Sequence, residues 1–543
     1  MKIKPLFTQD EDITIHTLLE KYGIDDVEEY LKPTGKYLES SLLYDNIEDG
    51  KDVILSNIDL YIGILMDIDG DGLYSSVLMY KTLKHINPKC KIKVFLHKNR
   101  VHGLNDESLM DEILSSGINL LIVPDASSGD FKQHKVLHDN NIDCVCVDHH
   151  PHFEYSPYAT VVNNQLSDNV INKNGSGALV TFKMCQMLDN KFANTMIDIV
   201  WFSLLSDIMD MSSMENRIFS YWGKRKLKNK FLIAMVNKFI GSNPDDLNNE
   251  SISWKVQPKI SAIIRQEDDK IKQKLFLALA TEKDEYIDYI IENCEKIHKK
   301  QNDDVTKYFN TMLESVNEEN RIIFEPIDIY PYYSGLVASK FVDKYNRPTI
   351  LYRPSKDGYS GSVRSGFPIK QQLIDSGVFT FANGHDSALG VGFKDIDVVS
   401  AYVCEALIDD SRLVTLSSDI SSISNDLYAI NDQYKEIWGH GIEKVSVHIP
   451  PFTINSHDIQ LLGKDKRTMK FNKDGVDFML FRISNQTKAD FHVNDKKNVK
   501  LSVEIIGEPS TNKYMNKTTK QIMINKYEVN VIEDKPIEFD DFW

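Results

Sequence analysis

The sequence has little cysteine, no excess of positive charge and no long apolar run, and each shortage removes a class of protein. Six cysteines, Cys90, Cys144, Cys146, Cys185, Cys294 and Cys404, are spread over 543 residues. None forms a Cys-x-x-Cys pair, which argues against a zinc ribbon, and no disulfide framework is implied. Cys144 and Cys146 sit in the run Cys144-Val145-Cys146-Val147 and read as buried thiols on a core strand. No apolar run has the length of a membrane span. The first residues turn acidic without a signal-peptide core, so a cytoplasmic protein with no membrane partner is expected. The formal net charge of -17 disfavours a passive coat on nucleic acid, because phosphate binding needs local positive charge. It does not exclude a nuclease, since bound divalent cations offset the acidity of an active site. There is no repeat and no long low-complexity segment.

What is present is an ordinary globular composition, 42% hydrophobic and 26% charged, in a chain long enough for two to four domains. Leu18, Leu19, Tyr22, Val27, Tyr30 and Leu31 fall mostly at helical spacing, before Pro33 breaks the pattern. Apolar runs then alternate with helical patterns: Asp59–Met66, Lys91–Leu96, Asn119–Val123 and Asp143–Val147. Such alternation predicts a parallel sheet covered on both faces. Ile197 to Asn320 reads as mainly helical. Strand-like runs return at Arg321–Phe324 and Thr349–Tyr352. Val445 to Val531 reads as five or so short strands, a small barrel such as an OB-fold. The expected order is a helical segment (1–50), a parallel-sheet α/β domain (51–225), a helical connector (226–320), a smaller α/β domain (321–412), a linker (413–444), a β module (445–532) and an acidic tail (533–543).

Chemistry-bearing residues stand where the predicted strands end. Asp67-Ile68-Asp69-Gly70-Asp71-Gly72 closes the first strand, Asp125 another, and Asp148-His149-His150 a third; Asp207 ends an apolar helix. In an open parallel sheet, ligands bind outside the carboxyl ends of the strands. Aspartates gathered there with histidine suit two divalent cations, Mn²⁺ or Mg²⁺, better than a thiolate-seeking metal.

In this order and spacing, Asp69-Gly70-Asp71-Gly72-Leu73-Tyr74-Ser75, Asp125, Asp148-His149-His150 and Asp207 resemble the four motifs of the DHH phosphoesterases. Gly361-Ser362-Val363-Arg364-Ser365 and Ala382-Asn383-Gly384-His385-Asp386-Ser387-Ala388-Leu389-Gly390 resemble the substrate-binding DHHA1 domain. Leu18 to Pro33, Ser213-Met214-Glu215-Asn216-Arg217, Gln257 to Arg265 and the trailing β module favour the RecJ-like branch. Departures are Pro331-Tyr332 where relatives carry Pro-Gly, Asn383 in the Gly-Gly-His motif, and Ile263-Ile264 in place of Ala-Gly.

The resemblance implies a two-metal, single-strand-specific 5′→3′ DNA exonuclease of recombination, repair or replication, acting as a monomer. It implies that Asp67, Asp69 and Asp125 hold one ion and that Asp71, Asp125, His149 and Asp207 hold the other. Asp148 would orient a histidine and His150 would donate to a phosphate oxygen. Arg100, Arg265, Ser362 and Arg364 would form a 5′-phosphate pocket, with Gly384 and His385 at the backbone near the scissile bond. In the β module, Lys464, Lys466, Arg467, Lys470 and Lys473 with Phe471, then Lys496, Lys497 and Lys500, then Lys513, Tyr514, Lys517 and Lys520, suggest a basic groove with aromatic platforms. The tail ends in Phe542-Trp543 and resembles the acidic tails by which single-strand-binding proteins recruit partners; it would dock a replication or repair protein or transiently cover the protein's own DNA groove, the alternative being a disordered tail or one packed on its own barrel. Two other readings are a phosphodiesterase for short oligoribonucleotides or cyclic dinucleotides, and a non-catalytic DNA-binding replication scaffold.

Overall fold

The computed structural model describes all residues except 98–101, 267, 318, 407–410, 494, 496, 515–516 and 533–543. The expectations placed on Arg100, on Lys496, on the side chains of Lys513, Tyr514 and Lys517, and on the C-terminal tail therefore lie outside the described residues. The chain divides into two units. One comprises 37–209 and 218–409; the other comprises 1–36, 210–217 and 410–543.

The first unit is built on a five-stranded parallel sheet. Its strands are β1 (Tyr61–Met66), β2 (Lys91–Leu96), β3 (Leu120–Pro124), β4 (Asp143–Asp148) and β5 (Thr160–Asn163), in the spatial order β2-β1-β3-β4-β5. Its central strands are apolar at successive positions, not at alternate ones. Leu120, Leu121, Ile122 and Val123 are all fully buried, as a sheet covered on both faces requires. Helix α1 (Gly70–Ile86) leaves β1 through a tight turn capped by Asp69, whose Oδ1 accepts from the Gly72 N–H at 3.0 Å. A Cβ at Gly72 would lie 2.7–2.9 Å from Asp67, so only glycine fits this turn. Helix α2 (Phe131–Asp139) packs on β4, while α3 (Gly177–Ala193) and α4 (Ile197–Ser206) pack on α1. The edge strand β5, absent from the expectations, is too short and too mixed (Thr-Val-Val-Asn) to stand out in sequence.

Helices run from α4 to Asp284–Met312, a 29-residue helix, with no strand between them among the described residues. A second five-stranded sheet follows: β6 (Ile323–Pro326), β7 (Thr349–Ser355), β8 (Gly358–Arg364), β9 (Phe381–His385) and β10 (Ala388–Phe393), in the order β9-β10-β8-β7-β6. The register aligns Arg364 with Ala388, and Ala388 with His385. Cross-strand partners share a face, so Arg364 and His385 point the same way from one row of the same surface, two strands apart.

The second unit holds a seven-stranded mixed sheet made by β11 (Leu416–Ser417), β12 (Val447–Asn455), β13 (Gln460–Leu462), β14 (Thr468–Lys473), β15 (Val476–Phe481), β16 (Lys500–Tyr514) and β17 (Lys517–Val531). It is consistent with the OB-like module expected, but β16 and β17 are each 15 residues long, not short. Gly507, Pro509 and Asn512 read as turn signals in sequence. Instead a register shift at Ile506/Gly507 absorbs the irregularity as a bulge and the hairpin continues. The helices Ile15–Lys21 and Val27–Leu31 share this unit's core: Leu18, Leu19 and Tyr30 belong to the same buried cluster as Trp438, Phe471, Phe478 and Val503. Among the described residues no helix is long and apolar enough to cross a membrane.

Candidate metal centre

The carboxyl ends of β1, β3 and β4 lie side by side because the strands are parallel and adjacent. That edge collects the aspartates. Asp67, Asp69 and Asp125 form one group of facing ligand atoms, and Asp71, His149 and Asp207 form another. Asp125, His149 and His150 form a third, each with its atoms within 4.8 Å of one another. Asp125 and His149 are each shared by two groups.

Each side chain is held from behind. Asp71 accepts from the Gly177 N–H at 2.6 Å and the Ala178 N–H at 2.9 Å, at the start of α3, and from the Ser203 hydroxyl. Two amides at a helix N-terminus favour a carboxylate there. Asp148 accepts from the Ser128, His149 and His150 amides at 3.0, 2.7 and 3.1 Å and from His150 Nδ1 at 2.9 Å. His149 Nδ1 lies 3.1 Å from the Gly175 carbonyl. A carbonyl only accepts, so Nδ1 carries the proton. The other ring nitrogen, Nε2, faces Asp125 Oδ1 (3.2 Å), Asp207 Oδ2 (3.5 Å) and Asp71 Oδ2 (3.7 Å).

Asp125 itself has φ 73°, as has its neighbour Ser127 at 77°, in a region that non-glycine residues enter only at some cost. Its amide donates to Val147 O at 2.7 Å, which pins it between β3 and β4. Gly177 makes room for it: a Cβ there would lie 2.7 Å from Asp125 Cγ.

The electrostatics fit a cation. Burial, then the neighbouring Asp71, Asp69, Asp67 and Asp207, push the Asp125 carboxyl well above the usual carboxylate range. Burial and Asp67 push Asp69 up to about 6. Buried Asp125 Oδ1 and Asp207 Oδ2 have no hydrogen-bond partner. Crowded, desolvated carboxylate oxygens with open lone pairs are poorly satisfied alone and well satisfied by divalent cations, and the oxygen-rich donor set suits Mn²⁺ or Mg²⁺.

Asp67 differs. It is buried but paired with His102 Nδ1 at 2.6 Å, accepts from the Gly103 amide at 3.3 Å, and lies 3.1 Å from His97 Nε2 without hydrogen-bond alignment. Burial opposes its ionisation, but His102 and His97 overcome this and hold it below the usual range; Asp67 in turn raises His102. Sequence reasoning missed both histidines. His97 directly follows β2 and so sits on the same carboxyl edge; the strand-end rule finds it once it is extended from aspartate to histidine.

His385 lies at the cluster, with Nε2 3.5 Å from Asp207 Oδ1, and Asp207 raises its pKa. Arg364 stands in the same register row on β8, and its Nη1 donates to Val363 O at 2.7 Å. Ser362 is two residues back on the same face. Gly384 has φ 124°, and a Cβ there would meet Ala388 O at 2.9 Å, so glycine is required. Arg265 ends the helix Gln257–Ile264 and is half-buried.

In the β module one expectation is corrected. Phe471 is no platform: it is 1% exposed and stacked on Phe478 at 5.0 Å, because its alternation along β14 points it into the core. Lys470 pairs with Asp477 at 2.8 Å, and Lys520 lies over the Tyr428 ring at 4.9 Å.

A parallel sheet with an acidic and histidine-bearing carboxyl edge defines a class, and comparison identifies it. Residues 61–205 match the family described as DHH family, N-terminal domain. The chain is 27% identical, over 96% of its length and 96% of the relative's, to the SPbeta prophage protein YorK of Bacillus subtilis (strain 168), which is provisionally named a single-strand DNA-specific exonuclease. It is 24% identical over 352 residues, 62% of this chain and 44% of the relative, to the single-stranded-DNA-specific exonuclease RecJ of the same organism. The crystal structure of RecJ from Thermus thermophilus in complex with Mn²⁺ matches with a TM-score of 0.72 at 16% identity, covering 97% of this chain and 78% of that one. A manganese-bound exonuclease RecJ matches with a TM-score of 0.55 at 17% identity, covering 68% and 97%. The protein thus carries a DHH-family domain and is a homologue of RecJ and YorK, with a RecJ-like fold.

Proposed function

We propose that the protein is a metal-dependent exonuclease that hydrolyses phosphodiester bonds of single-stranded DNA from the 5′ end. The observation that carries this reading is the convergence of five aspartates with His149 and His150 on one sheet edge. The near full-length likeness to proteins named as single-strand DNA-specific exonucleases supports it. Bound at this edge, two divalent cations would supply charge neutralisation on the phosphate and a hydroxide-like nucleophile at neutral pH.

Asp67, Asp69 and Asp125 would hold one ion and Asp71, Asp125, His149 and Asp207 the other. The backbone and side-chain donors behind the ligand Asp71 and behind Asp148, which orients His150, fix both carboxylates before substrate arrives, which spares reorganisation in the transition state. His150 is the proton-bearing group. Burial works against its charge, but Asp148 at 2.9 Å outweighs burial and pushes its pKa up to about 10. It therefore presents a cationic donor whose other nitrogen is available to a non-bridging phosphate oxygen. His385, on the second sheet, would hold the strand near the scissile bond. Arg364 and Ser362, with Arg265 and Arg100, would grip a terminal 5′-phosphate, for which the guanidinium fork is suited.

The test incubates the protein and Mn²⁺ with end-labelled single strands, 5′-phosphorylated or not, with duplex of the same sequence, and with short RNAs and cyclic dinucleotides. The proposal expects a 3′-labelled single strand to shorten progressively while duplex resists. Arg364→Ala should lose attack on phosphorylated ends with little change in Mn²⁺ affinity. Mononucleotides released from the 3′ end, or preference for cyclic dinucleotides, would overturn it.

A further inference from the structure

Behind the carboxylate cluster, on the same strand, lies a second group of ligand atoms that the exonuclease reading does not use. Cys144 and Cys146 alternate with Val145 and Val147 along β4, so their thiols share one face with Asp148. That face is covered by α2, which lowers His134 onto them. Cys144 Sγ lies 3.8 Å from Cys146 Sγ, and Cys146 Sγ lies 3.3 Å from His134 Nε2. One ligand atom from each of the three residues falls within 4.8 Å of the others. All three are out of water: Cys144 is 4% exposed, Cys146 and His134 are 0%.

Two of the three spacings are those of neighbouring ligands around one ion. Two sulfurs each about 2.3 Å from a tetrahedral zinc stand about 3.8 Å apart, and a sulfur and an imidazole nitrogen about 3.5 Å. The imidazole is ready to bind, whereas the contact with Cys144 and burial push the Cys146 thiol well above its usual range, so the ion must displace its proton. Burial pushes His134 down to about 4, so the ring is neutral and keeps a lone pair. In the metal-free protein this imidazole is poorly satisfied, because Nδ1 is buried with no hydrogen-bond partner and Nε2 meets only a thiol. Surrounding side chains, among them Val123, Ala126, Leu137 and Val161, are apolar. A divalent ion with two thiolates and a neutral imidazole has no net charge, which is the one metallated state such a core accepts without penalty for a buried charge.

We propose that His134, Cys144 and Cys146 form a site for zinc, distinct from the carboxylate cluster. Binding replaces the two thiol protons, which pass to solvent, with two sulfur–zinc bonds and one nitrogen–zinc bond. The ion ties α2 to β4 two residues before Asp148, and so braces the strand end that carries the aspartate and both histidines of the cluster. Carboxylate-rich sites prefer Mn²⁺ or Mg²⁺ and this one prefers a thiophilic ion, so both can be filled together.

The test is reconstitution of the full-length, reduced, metal-free protein with Co²⁺, a spectroscopic substitute for zinc. A thiolate site gives a sulfur-to-cobalt charge-transfer band in the near ultraviolet that carboxylate and imidazole ligands do not give. The band is expected in the wild type, saturating at one equivalent. It should be displaced by stoichiometric zinc, kept in Asp125→Ala, and lost in Cys146→Ser and in His134→Ala. Absence of the band in folded wild-type protein at saturating Co²⁺ overturns the proposal without recourse to any variant. So does a band that survives both substitutions, since its thiolates then lie elsewhere.

Discussion

The parallel sheet of the first unit and the mixed sheet of the second handle charge in opposite ways. In the five-stranded parallel sheet every strand delivers its carboxyl end to the same edge, so residues far apart in sequence, from Asp67 to Asp148, converge there. The convergence is strong enough to bury carboxylates against one another and to leave Asp125 Oδ1 and Asp207 Oδ2 without partners. In the seven-stranded mixed sheet neighbouring strands mostly run in opposite directions. Charges there meet in separate pairs, some local, such as Lys470 with Asp477, and some between distant strands, such as His448 with Glu504 at 2.8 Å, and they do not gather at one edge. A parallel topology therefore turns a sequence pattern into a site, while the mixed one keeps its charges in separate pairs.

The sharpest way to break this contrast is at Asp125. EDTA, or Asp125→Ala, is expected to reduce release of nucleotides from single strands to the rate without enzyme, and Mn²⁺ should restore the wild type only. The next effect concerns pH in the metal-free protein. Asp69 is raised to about 6 from an ordinary value of 3.8. A group raised on folding contributes stability that is fully present below its unfolded value and lost as pH rises through the folded one. With EDTA, the thermal midpoint should fall as pH rises from about 4 toward and past 6. Saturating Mn²⁺ should abolish this slope, and scanning calorimetry with and without the metal decides it.

Asp148→Asn leaves the edge carboxylates in place but removes the charge that keeps His150 protonated. Loss of such a supporting partner typically costs about 10–100-fold. The expected result is a fall of that size in turnover with Mn²⁺ affinity nearly unchanged; a proportional loss of Mn²⁺ affinity would make Asp148 a ligand. In the mixed sheet, Phe471→Ala should destabilise its own unit by about 3–5 kcal/mol, seen in urea denaturation, because the ring is core. The smallest effect belongs to the exposed Lys464, Lys466 and Arg467. Replacing all three with alanine should lower the salt dependence of single-strand binding by at most about one counterion per charge removed, and leave turnover of saturating substrate unchanged.

The same contrast explains what was legible. The parallel sheet could be read because its strands are uninterrupted apolar runs ending in aspartate or histidine, and topology does the rest. His97 escapes a strand-end rule limited to aspartates and the His149-His150 pair, and His102, six residues past the end of β2, lies beyond the reach of such a rule. The mixed sheet is legible as β but not in the length of its strands, since a bulge at Gly507 carries the same residues as a turn. The burial of Phe471 is not legible, because a basic neighbourhood says nothing about which face an alternating residue takes. That Leu18, Leu19 and Tyr30 pack with a core some four hundred residues later in the chain had no local signal at all. Arg364 and His385 were found by motif, but only the register shows that they share a row and a face.

The most direct test of a shared metal edge is a titration of Mn²⁺ into the metal-free protein, following free Mn²⁺ by electron paramagnetic resonance. The account predicts two bound ions per wild-type chain, and loss of tight binding at both sites in Asp125→Ala, because one carboxylate serves the two groups. Two ions bound with unchanged affinity by Asp125→Ala, or a single ion bound by the wild type, would contradict it.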